Sequence, residues 1–245
     1  MQALIVAAGR SSRLYPLTLK TPKTLLSVGE ASLIERSVQA LTAVGVDRLV
    51  VITGFEAEQI ESALGDRASY VRNENFATTN NLASLLIGSQ ALDLSEPWLY
   101  LHADLIYHPR LLENTLKAPG EVVFLVDQQS IGEEEMKVRI KDGRIIEANK
   151  AIPLKEAAGE WTGIIKFNPE GAAWYLPAVE KAVATDPTKY DCVVVRDLAA
   201  AGYTISVAST EGLPWREVDF PEDLAAAREI AKEIPWPVPS LQFAN

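Results

Sequence analysis

The strongest constraint on the fold is the alternation of apolar runs with amphipathic segments along the first half of the chain. The first run, Gln2–Ala7, is almost entirely apolar, which is typical of a strand buried on both faces of a sheet. A segment with helical periodicity follows from Ser32, whose spacing to Glu35 is that of a capping box, and ends near Gly45. Continued alternation favours parallel βαβ units, and so the sequence predicts an α/β protein with a doubly wound, mostly parallel, Rossmann-like sheet. The predicted strands of this half are residues 2–7, 47–53, 69–72 and 98–102, and the predicted helices are residues 33–44, 54–64 and 81–92.

The pattern changes after residue 126. Residues 137–148 alternate in polarity around Lys141-Asp142-Gly143-Arg144, which predicts a hairpin. We therefore expect one domain over residues 1–232, with a first half of about 1–126 and a smaller mixed half of about 127–232, followed by a proline-rich tail at 233–245. In the second half the predicted strands are 161–167, 204–208 and 216–218, and the predicted helices are 170–184, 191–200 and one that begins at Pro221.

Composition excludes several classes of function. The chain has 245 residues, a formal net charge of -10 and a pI of about 4.8, which argue against duplex DNA or an anionic membrane as the main partner. Cys192 is the only cysteine, so neither an intrachain disulfide nor a cysteine metal cluster can form. Because no apolar stretch is long enough for a bilayer and the first residues read as a strand, we expect a cytoplasmic protein without membrane insertion.

A basic loop follows the first strand. Arg10, Arg13, Lys20 and Lys23 precede the first carboxylate of the chain, which is Glu30. Close backbone approach at a glycine, together with several cations, is suited to binding a polyphosphate. The alternative is an ordinary basic surface loop, since short glycine motifs also occur without a ligand.

Two aspartates follow predicted strands at the same edge of the sheet. Asp104 ends the apolar run 99–103, and Asp219 lies between a late strand and a helix. Ligands of open α/β sheets bind beyond the carboxyl ends of strands, and Mg²⁺ prefers one or two carboxylates plus phosphate oxygens. Both aspartates are therefore candidate Mg²⁺ ligands, and their alternative role is to cap a turn or helix.

The segment from Ala7 to Lys23 resembles the signature of nucleotidyltransferases that activate sugar phosphates and phospho-alcohols with a nucleoside triphosphate. The usual A-A-G-x-G-T-R reads Ala7-Ala8-Gly9-Arg10-Ser11-Ser12-Arg13 here, so Ser11 stands in the place of a glycine. The resemblance implies that the first half binds nucleotide and the second half binds the acceptor. It also matches Asp104 and Asp219 to the paired magnesium aspartates, and it assigns to nucleotide binding the residues Ala7, Ala8, Gly9, Arg10, Ser11, Ser12, Arg13, Lys23, Asn80 and Ser84.

Later segments resemble one branch of that superfamily, which includes CTP:phosphocholine cytidylyltransferases and relatives that act on phosphonates. Asn80-Asn81-Leu82-Ala83-Ser84-Leu85 matches N-N-x-x-S-L, and Glu134-Glu135-Met136-Lys137-Val138 matches an acidic-M-K-V hairpin. Lys150 and residues 159–167 match a third element. The partners implied are a nucleoside triphosphate, with CTP favoured, a small phosphorylated or phosphonate acceptor, and a second copy of the chain as a homodimer. A sugar-1-phosphate or inositol-1-phosphate nucleotidyltransferase stays open as an alternative, and a non-catalytic nucleotide-binding subunit is disfavoured because Lys23 and both aspartates are present.

The reaction implied is attack by a phosphate or phosphonate oxygen on the α-phosphorus of the triphosphate, with release of pyrophosphate. The attacking group is already an anion, so charge neutralisation and alignment replace a general base. Lys23, Arg13, Asp104 and Asp219 are the expected catalytic residues, with Mg²⁺ as cofactor. The candidate acceptor-binding residues are Lys150, Glu160, Trp161, Tyr190, Asp191 and Trp215.

Overall fold

A nine-stranded mixed sheet forms the centre of the protein, whose computed structural model describes residues 1–129 and 131–239. In spatial order the strands are β5 (Ser69–Arg72), β4 (Arg48–Thr53), β1 (Gln2–Ala7), β6 (Trp98–His102), β11 (Gly159–Phe167), β8 (Val122–Asp127), β12 (Ile205–Ser209), β10 (Arg144–Asn149) and β9 (Lys137–Lys141). The strands β5, β4, β1 and β6 run parallel, as predicted, and β11 pairs antiparallel with both β6 and β8. The predicted α/β class is confirmed, and the sheet is mixed because β11 and β10 run against the other strands.

Helices cover both faces of this sheet. Alternate residues of β1 face opposite ways: Leu4 and Val6 belong to one buried cluster, and Ala3 and Ile5 belong to the other. The helices are α1 (Leu33–Ala43), α2 (Ala57–Leu64), α3 (Asn81–Ser89), α4 (Arg110–Lys117), α5 (Pro169–Thr185), α6 (Val195–Ala200) and α7 (Pro221–Ile230). The first cluster includes residues of α3, α5 and α6, and the second includes residues of α1, α2 and α4.

Several predicted boundaries are confirmed, and others shift for local reasons. The capping box of α1 forms, with the Ser32 hydroxyl accepting from the Glu35 amide and the Glu35 carboxylate accepting from the Ser32 amide. The helix predicted at 54–64 begins at Ala57, because the residue before it, Glu56, has a left-handed backbone conformation with φ 50°. The helices predicted to extend over 81–92 and 191–200 are shorter, ending at Ser89 and beginning at Val195, respectively.

Elements that the sequence did not predict connect the two halves. They are α4, β8, the short hairpin of β2 (Ser27–Val28) and β3 (Ala31–Ser32), and β7 (Leu105–Tyr107). The strand predicted at 216–218 is present as β13 (Trp215–Glu217), and it forms a two-stranded sheet with β7. The pairing of β7 with β13 brings the residues after β13 to the residues after β6. This pairing is what places Asp219 beside Asp104.

The described residues after α7 pack on α1 and α7. Ile234 is buried in a small cluster with Leu224 of α7, and the amide of Val238 donates to the side chain of Gln39. Residues 240–245 of the predicted tail lie outside the described residues. None of the helices within the described ranges is both long enough and apolar enough to cross a bilayer.

Candidate active site

The basic loop leaves β1 in a left-handed turn at Ser11. This residue has φ 51° and ψ 48°, the backbone conformation that glycine adopts at least cost. The Ser11 carbonyl accepts hydrogen bonds from the Thr18 hydroxyl at 2.7 Å and from the Leu14 amide at 3.1 Å. The turn therefore stays tight although serine stands in the place of glycine. The cost is a higher backbone energy at Ser11, not a more open loop.

Replacing Ser11 with glycine is expected to stabilise the protein by about 1 kcal/mol, because a non-glycine residue in the left-handed region costs about that much. Urea denaturation of wild type and Ser11→Gly measures the difference. Ser12→Gly is the matched control, since Ser12 begins a 3₁₀ turn without positive φ. This change should lower the free energy of unfolding by about 0.5–1 kcal/mol. Equal destabilisation by both changes would contradict the assignment of strain to Ser11.

Lys23 lies between the two predicted aspartates. Its Nζ is 2.7 Å from Oδ2 of Asp104 and 2.8 Å from Oδ1 of Asp219, and the residue is only 9% exposed. Arg13 contacts the other oxygen of Asp219 at 2.7 Å. Burial alone would lower the pKa of Lys23, but Asp104, Asp219 and Glu217 raise it above its usual value. For Asp219 burial would raise the pKa, but Lys23 and Arg13 hold it below its usual value.

The donor set around Asp104 suits a hard divalent cation. Oδ1 of Asp104 is buried and has no hydrogen-bond partner among the described residues. Carboxylates of Asp219 and Glu217 lie close by, and donor atoms of His102, Asp104 and Glu217 fall within 4.8 Å of one another. Carboxylate oxygens are the ligands that Mg²⁺ prefers, so these residues fit that ion.

The predicted nucleotide-binding residues divide into three groups. Ala7, Ala8, Gly9, Ser11 and Lys23 line one small cleft of about 70 Å³ at the end of β1. Arg10 packs its guanidinium on the rings of Phe55 and Phe76, at 6.0 and 5.7 Å from their centroids, and Ser12 is exposed.

Asn80 immediately precedes α3 and Ser84 lies within it, and the two side chains have different surroundings. Asn80 caps the helix, its side chain accepting from the Asn81 amide, and it lines a second cleft of about 210 Å³. Ser84 is 2% exposed and contacts the side chain of Asn73 at 3.1 Å. Ser84 therefore stabilises the loop before α3 through its contact with Asn73. It does not line the 70, 210 or 440 Å³ cleft.

The predicted acceptor residues line two neighbouring clefts. Trp161, Tyr190 and Asp191 line the 210 Å³ cleft, and Glu160 and Trp215 line a larger one of about 440 Å³. Four residues line both clefts and so join them; they are Arg13, Lys150, Glu217 and Asp219. The two clefts thus meet at Asp219, one of the two aspartates that contact Lys23.

A buried network at the end of β6 was not predicted from the sequence. Nε2 of His102 is 2.7 Å from Oδ2 of Asp191, and the Tyr100 hydroxyl donates to the same oxygen. Burial would lower the pKa of His102, but Asp191 and Glu217 raise it well above the usual value. Gly163 makes room for the imidazole, since a Cβ at this position, where φ is +84°, would lie 2.8 Å from Nδ1 of His102. Two features of the sequence point to this network: His102 lies at the end of a strand, and Gly163 lies within one.

Glu160 is the most perturbed carboxyl group of the larger cleft. Burial, followed by the carboxylates of Glu135, Glu217 and Asp127, raises its pKa from 4.5 to about 9. Lys137 is buried beneath this cluster and donates to the carbonyls of Glu133 and Glu135. At neutral pH Glu160 therefore holds its proton in the folded protein.

Glu160→Gln is expected to stabilise the protein by about 2–4 kcal/mol at pH 8 and by little at pH 4.5. Between the unfolded pKa of 4.5 and the folded pKa of about 9, the unfolded chain releases a proton that the folded chain keeps, so wild-type stability falls as pH rises. Chemical denaturation at several pH values checks this. A gain that is equal at all pH values would contradict the raised pKa. Glu74→Gln, at an exposed carboxyl group outside the cleft, provides a control for loss of a negative charge.

Known proteins resemble this chain in sequence and in fold. Residues 3–160 match the family described as the MobA-like NTP transferase domain. A choline-phosphate cytidylyltransferase of Streptococcus pneumoniae is 35% identical over 95% of this chain and 99% of its own length. A CMP-5'-(3-aminopropyl)phosphonate synthase of Streptomyces rubellomurinus is 26% identical over 91% of this chain, which spans only 37% of that protein. The inositol-1-phosphate CTP transferase of T. maritima superposes with a TM-score of 0.82, at 21% identity over 97% of both chains, and so supports the fold.

Proposed function

The chain belongs to the MobA-like NTP transferase family, and from this premise we propose that it is a Mg²⁺-dependent cytidylyltransferase for a small phospho-alcohol or phosphonate. CTP and the acceptor would give a CDP- or CMP-conjugate and pyrophosphate. One observation carries the proposal: Lys23 and Arg13 meet Asp104 and Asp219 at the carboxyl ends of β1 and β6. The preference for CTP is supported by the cytidylyltransferase of S. pneumoniae and by the segments around Asn80 and Lys150.

The residues of the site supply alignment and positive charge. The loop at Gly9 and Ser11 lies against the triphosphate, Lys23 neutralises charge that develops at the α-phosphate, and Arg13 binds the β- and γ-phosphates. Lys150, which lines both acceptor clefts, holds the acceptor phosphate. Asp104 and Asp219 are the residues that would hold Mg²⁺, which when bound supplies charge neutralisation to phosphate oxygens.

The acceptor phosphate needs no general base. It is an anion at neutral pH, so its oxygen attacks the α-phosphorus directly as the bond to pyrophosphate breaks. Bringing two polyanions together is then the main barrier, and cationic side chains lower it. The need to neutralise this negative charge accounts for a site in which cationic side chains surround the carboxylates.

Pyrophosphate release tests the proposal. Four nucleoside triphosphates are each combined with phosphocholine, phosphoethanolamine, aminoethylphosphonate, inositol-1-phosphate and glucose-1-phosphate in the presence of Mg²⁺. Fastest turnover with CTP and a phospho-alcohol or phosphonate supports the proposal. Fastest turnover with a sugar phosphate or inositol-1-phosphate, or with another triphosphate, would overturn it.

A further inference from the structure

A fourth cavity, of about 710 Å³, lies between α1, α7 and the hairpin of β2 and β3. Within the described ranges it shares no lining residue with the three clefts of the candidate active site. Its charged lining is more basic than acidic, although the chain as a whole has a net charge of -10. The basic residues are Arg36, Arg228 and Lys232, and the acidic residues are Glu30 and Glu233. This balance favours an anionic ligand.

Arg36 is a buried cation with an unpaired donor. The residue is 7% exposed, and its Nε donates to the carbonyl of Val28 at 2.8 Å. One terminal nitrogen, Nη1, is buried and has no hydrogen-bond partner in the part of the chain that the structure describes. Burial lowers the pKa of the guanidinium, and Glu30 is the charged group that opposes this effect. Because an unpaired donor on a buried cation is costly, an anion that accepts from it gains that energy.

The guanidinium of Arg36 forms part of the cavity wall. The ring of Trp236 lies against its face, with the ring centroid 5.0 Å from Cζ. Gly29 lies at its edge, since a Cβ at this position would be 2.8 Å from Nη2 of Arg36 and 3.4 Å from Cβ of Ala231. Arg36 and these three neighbours all line the cavity. A larger residue in place of Gly29 would displace the guanidinium from this wall.

Arg228 brings a second guanidinium to the same cavity from α7. It is exposed, and its Nε donates to the carbonyl of Ser27 at 3.3 Å, which leaves the terminal amino groups for a ligand. Lys232 contributes less charge because it already pairs with Glu229. One guanidinium fork is sufficient for the two oxygens of a carboxylate, whereas a phosphate group has further oxygens and a second negative charge for another guanidinium. Two arginines therefore favour a phosphate group.

We propose that this cavity binds a phosphate group, free or carried by an organic molecule, through Arg36 and Arg228. Each arginine already holds the β2 strand by a backbone carbonyl, Arg36 from α1 and Arg228 from α7. A phosphate bound to both ties α7 to the hairpin. The hairpin follows Lys23 closely in the chain, and α7 begins just after Asp219, so the bound anion stabilises the two segments that carry these residues. The site does not depend on the proposed function.

Titration of the full chain with inorganic phosphate tests the proposal, with sodium chloride at equal ionic strength as the reference. Tryptophan fluorescence is followed, because the Trp236 ring lies on Arg36. Wild type is expected to show a saturable change that chloride does not produce. Arg36→Gln should raise the Kd for phosphate by about tenfold or more, and Arg228→Gln should raise it by about threefold.

Trp236→Phe should lose this signal, which separates the cavity from the active-site clefts, where Trp161 and Trp215 lie. Phosphate should also raise the Tm of wild type more than that of Arg228→Gln, since a ligand of the folded state stabilises it. Glucose 6-phosphate is titrated in parallel. Tighter binding of this ester than of inorganic phosphate assigns the site to an organic phosphate, and the reverse assigns it to the free ion.

Arg110→Gln is the matched control, because Arg110 is an exposed helical arginine that lines none of the four cavities, and it should keep the wild-type Kd. Arg228→Gln changes an exposed residue and so decides the matter if Arg36→Gln does not fold. A response equal to that with chloride, a signal that persists in Trp236→Phe, or an unchanged Kd in Arg228→Gln or in folded Arg36→Gln would overturn the proposal.

Discussion

Lys23→Met is expected to lower kcat/KM for nucleotidyl transfer by a factor of about 10²–10³, the usual loss when a preorganised charge-stabilising group is removed. Methionine keeps much of the side-chain volume, and Lys23 is 9% exposed, so the change removes the ammonium with little loss of packing. Steady-state pyrophosphate release with CTP and an accepted phosphate measures the effect. Lys141→Met, at an exposed lysine outside the basic loop and the clefts, is the control and should keep wild-type activity.

A second measurement separates loss of charge from loss of structure. The Lys23 ammonium contacts carboxylate oxygens that a divalent cation needs, one of Asp104 at 2.7 Å and one of Asp219 at 2.8 Å. Lys23→Met should therefore bind Mn²⁺ more tightly than wild type, and Mn²⁺ should raise its Tm by more. A variant with near-normal turnover, or with weaker Mn²⁺ binding, would contradict this view of Lys23.

The elements best predicted from the sequence are those fixed by local chemistry. The capping box at Ser32 and Glu35 needs only neighbouring residues, and the strand of residues 69–72 has the predicted bounds. The direction of β11 could not be predicted, because a strand that is buried along all nine residues has the same pattern in parallel and antiparallel positions. The insertion of β11 between β6 and β8 depends on the whole topology.

The same distinction holds for the site. The nearness of Lys23 and Asp104 follows from the rule that parallel strands deliver ligands at their carboxyl ends. Asp219 reaches them in another way, because it follows β13, which pairs antiparallel with β7 outside the large sheet. The contact of Tyr100 and His102 with Asp191 joins residues that lie about 90 positions apart, and no periodicity encodes it. Ser84 is the opposite case, a residue that a motif indicates but that does not line a cleft. Its segment resembles the family motif, whereas its hydroxyl is buried against Asn73.

Asp104→Asn should lower kcat/KM by a factor of about 10²–10³ and weaken Mn²⁺ binding in the presence of nucleotide. Asparagine keeps the size of the side chain but removes the negative charge from Oδ1, which is buried without a partner, and from Oδ2, which contacts Lys23. Activity and Mn²⁺ titration are measured together. Asp142→Asn is the control, because Asp142 lies in an exposed turn with φ 51°, a conformation that asparagine tolerates.

The double variant Asp104→Asn/Lys23→Met separates two roles of Asp104. If Asp104 only neutralises the Lys23 ammonium, removing both groups should restore Mn²⁺ binding to the level of Lys23→Met alone. If Asp104 holds the cation, Mn²⁺ binding should stay weak in the double variant, because the remaining carboxylates of Asp219 and Glu217 lack their shared partner. We expect the second result, and restored binding would contradict the assignment of Asp104 as a metal ligand.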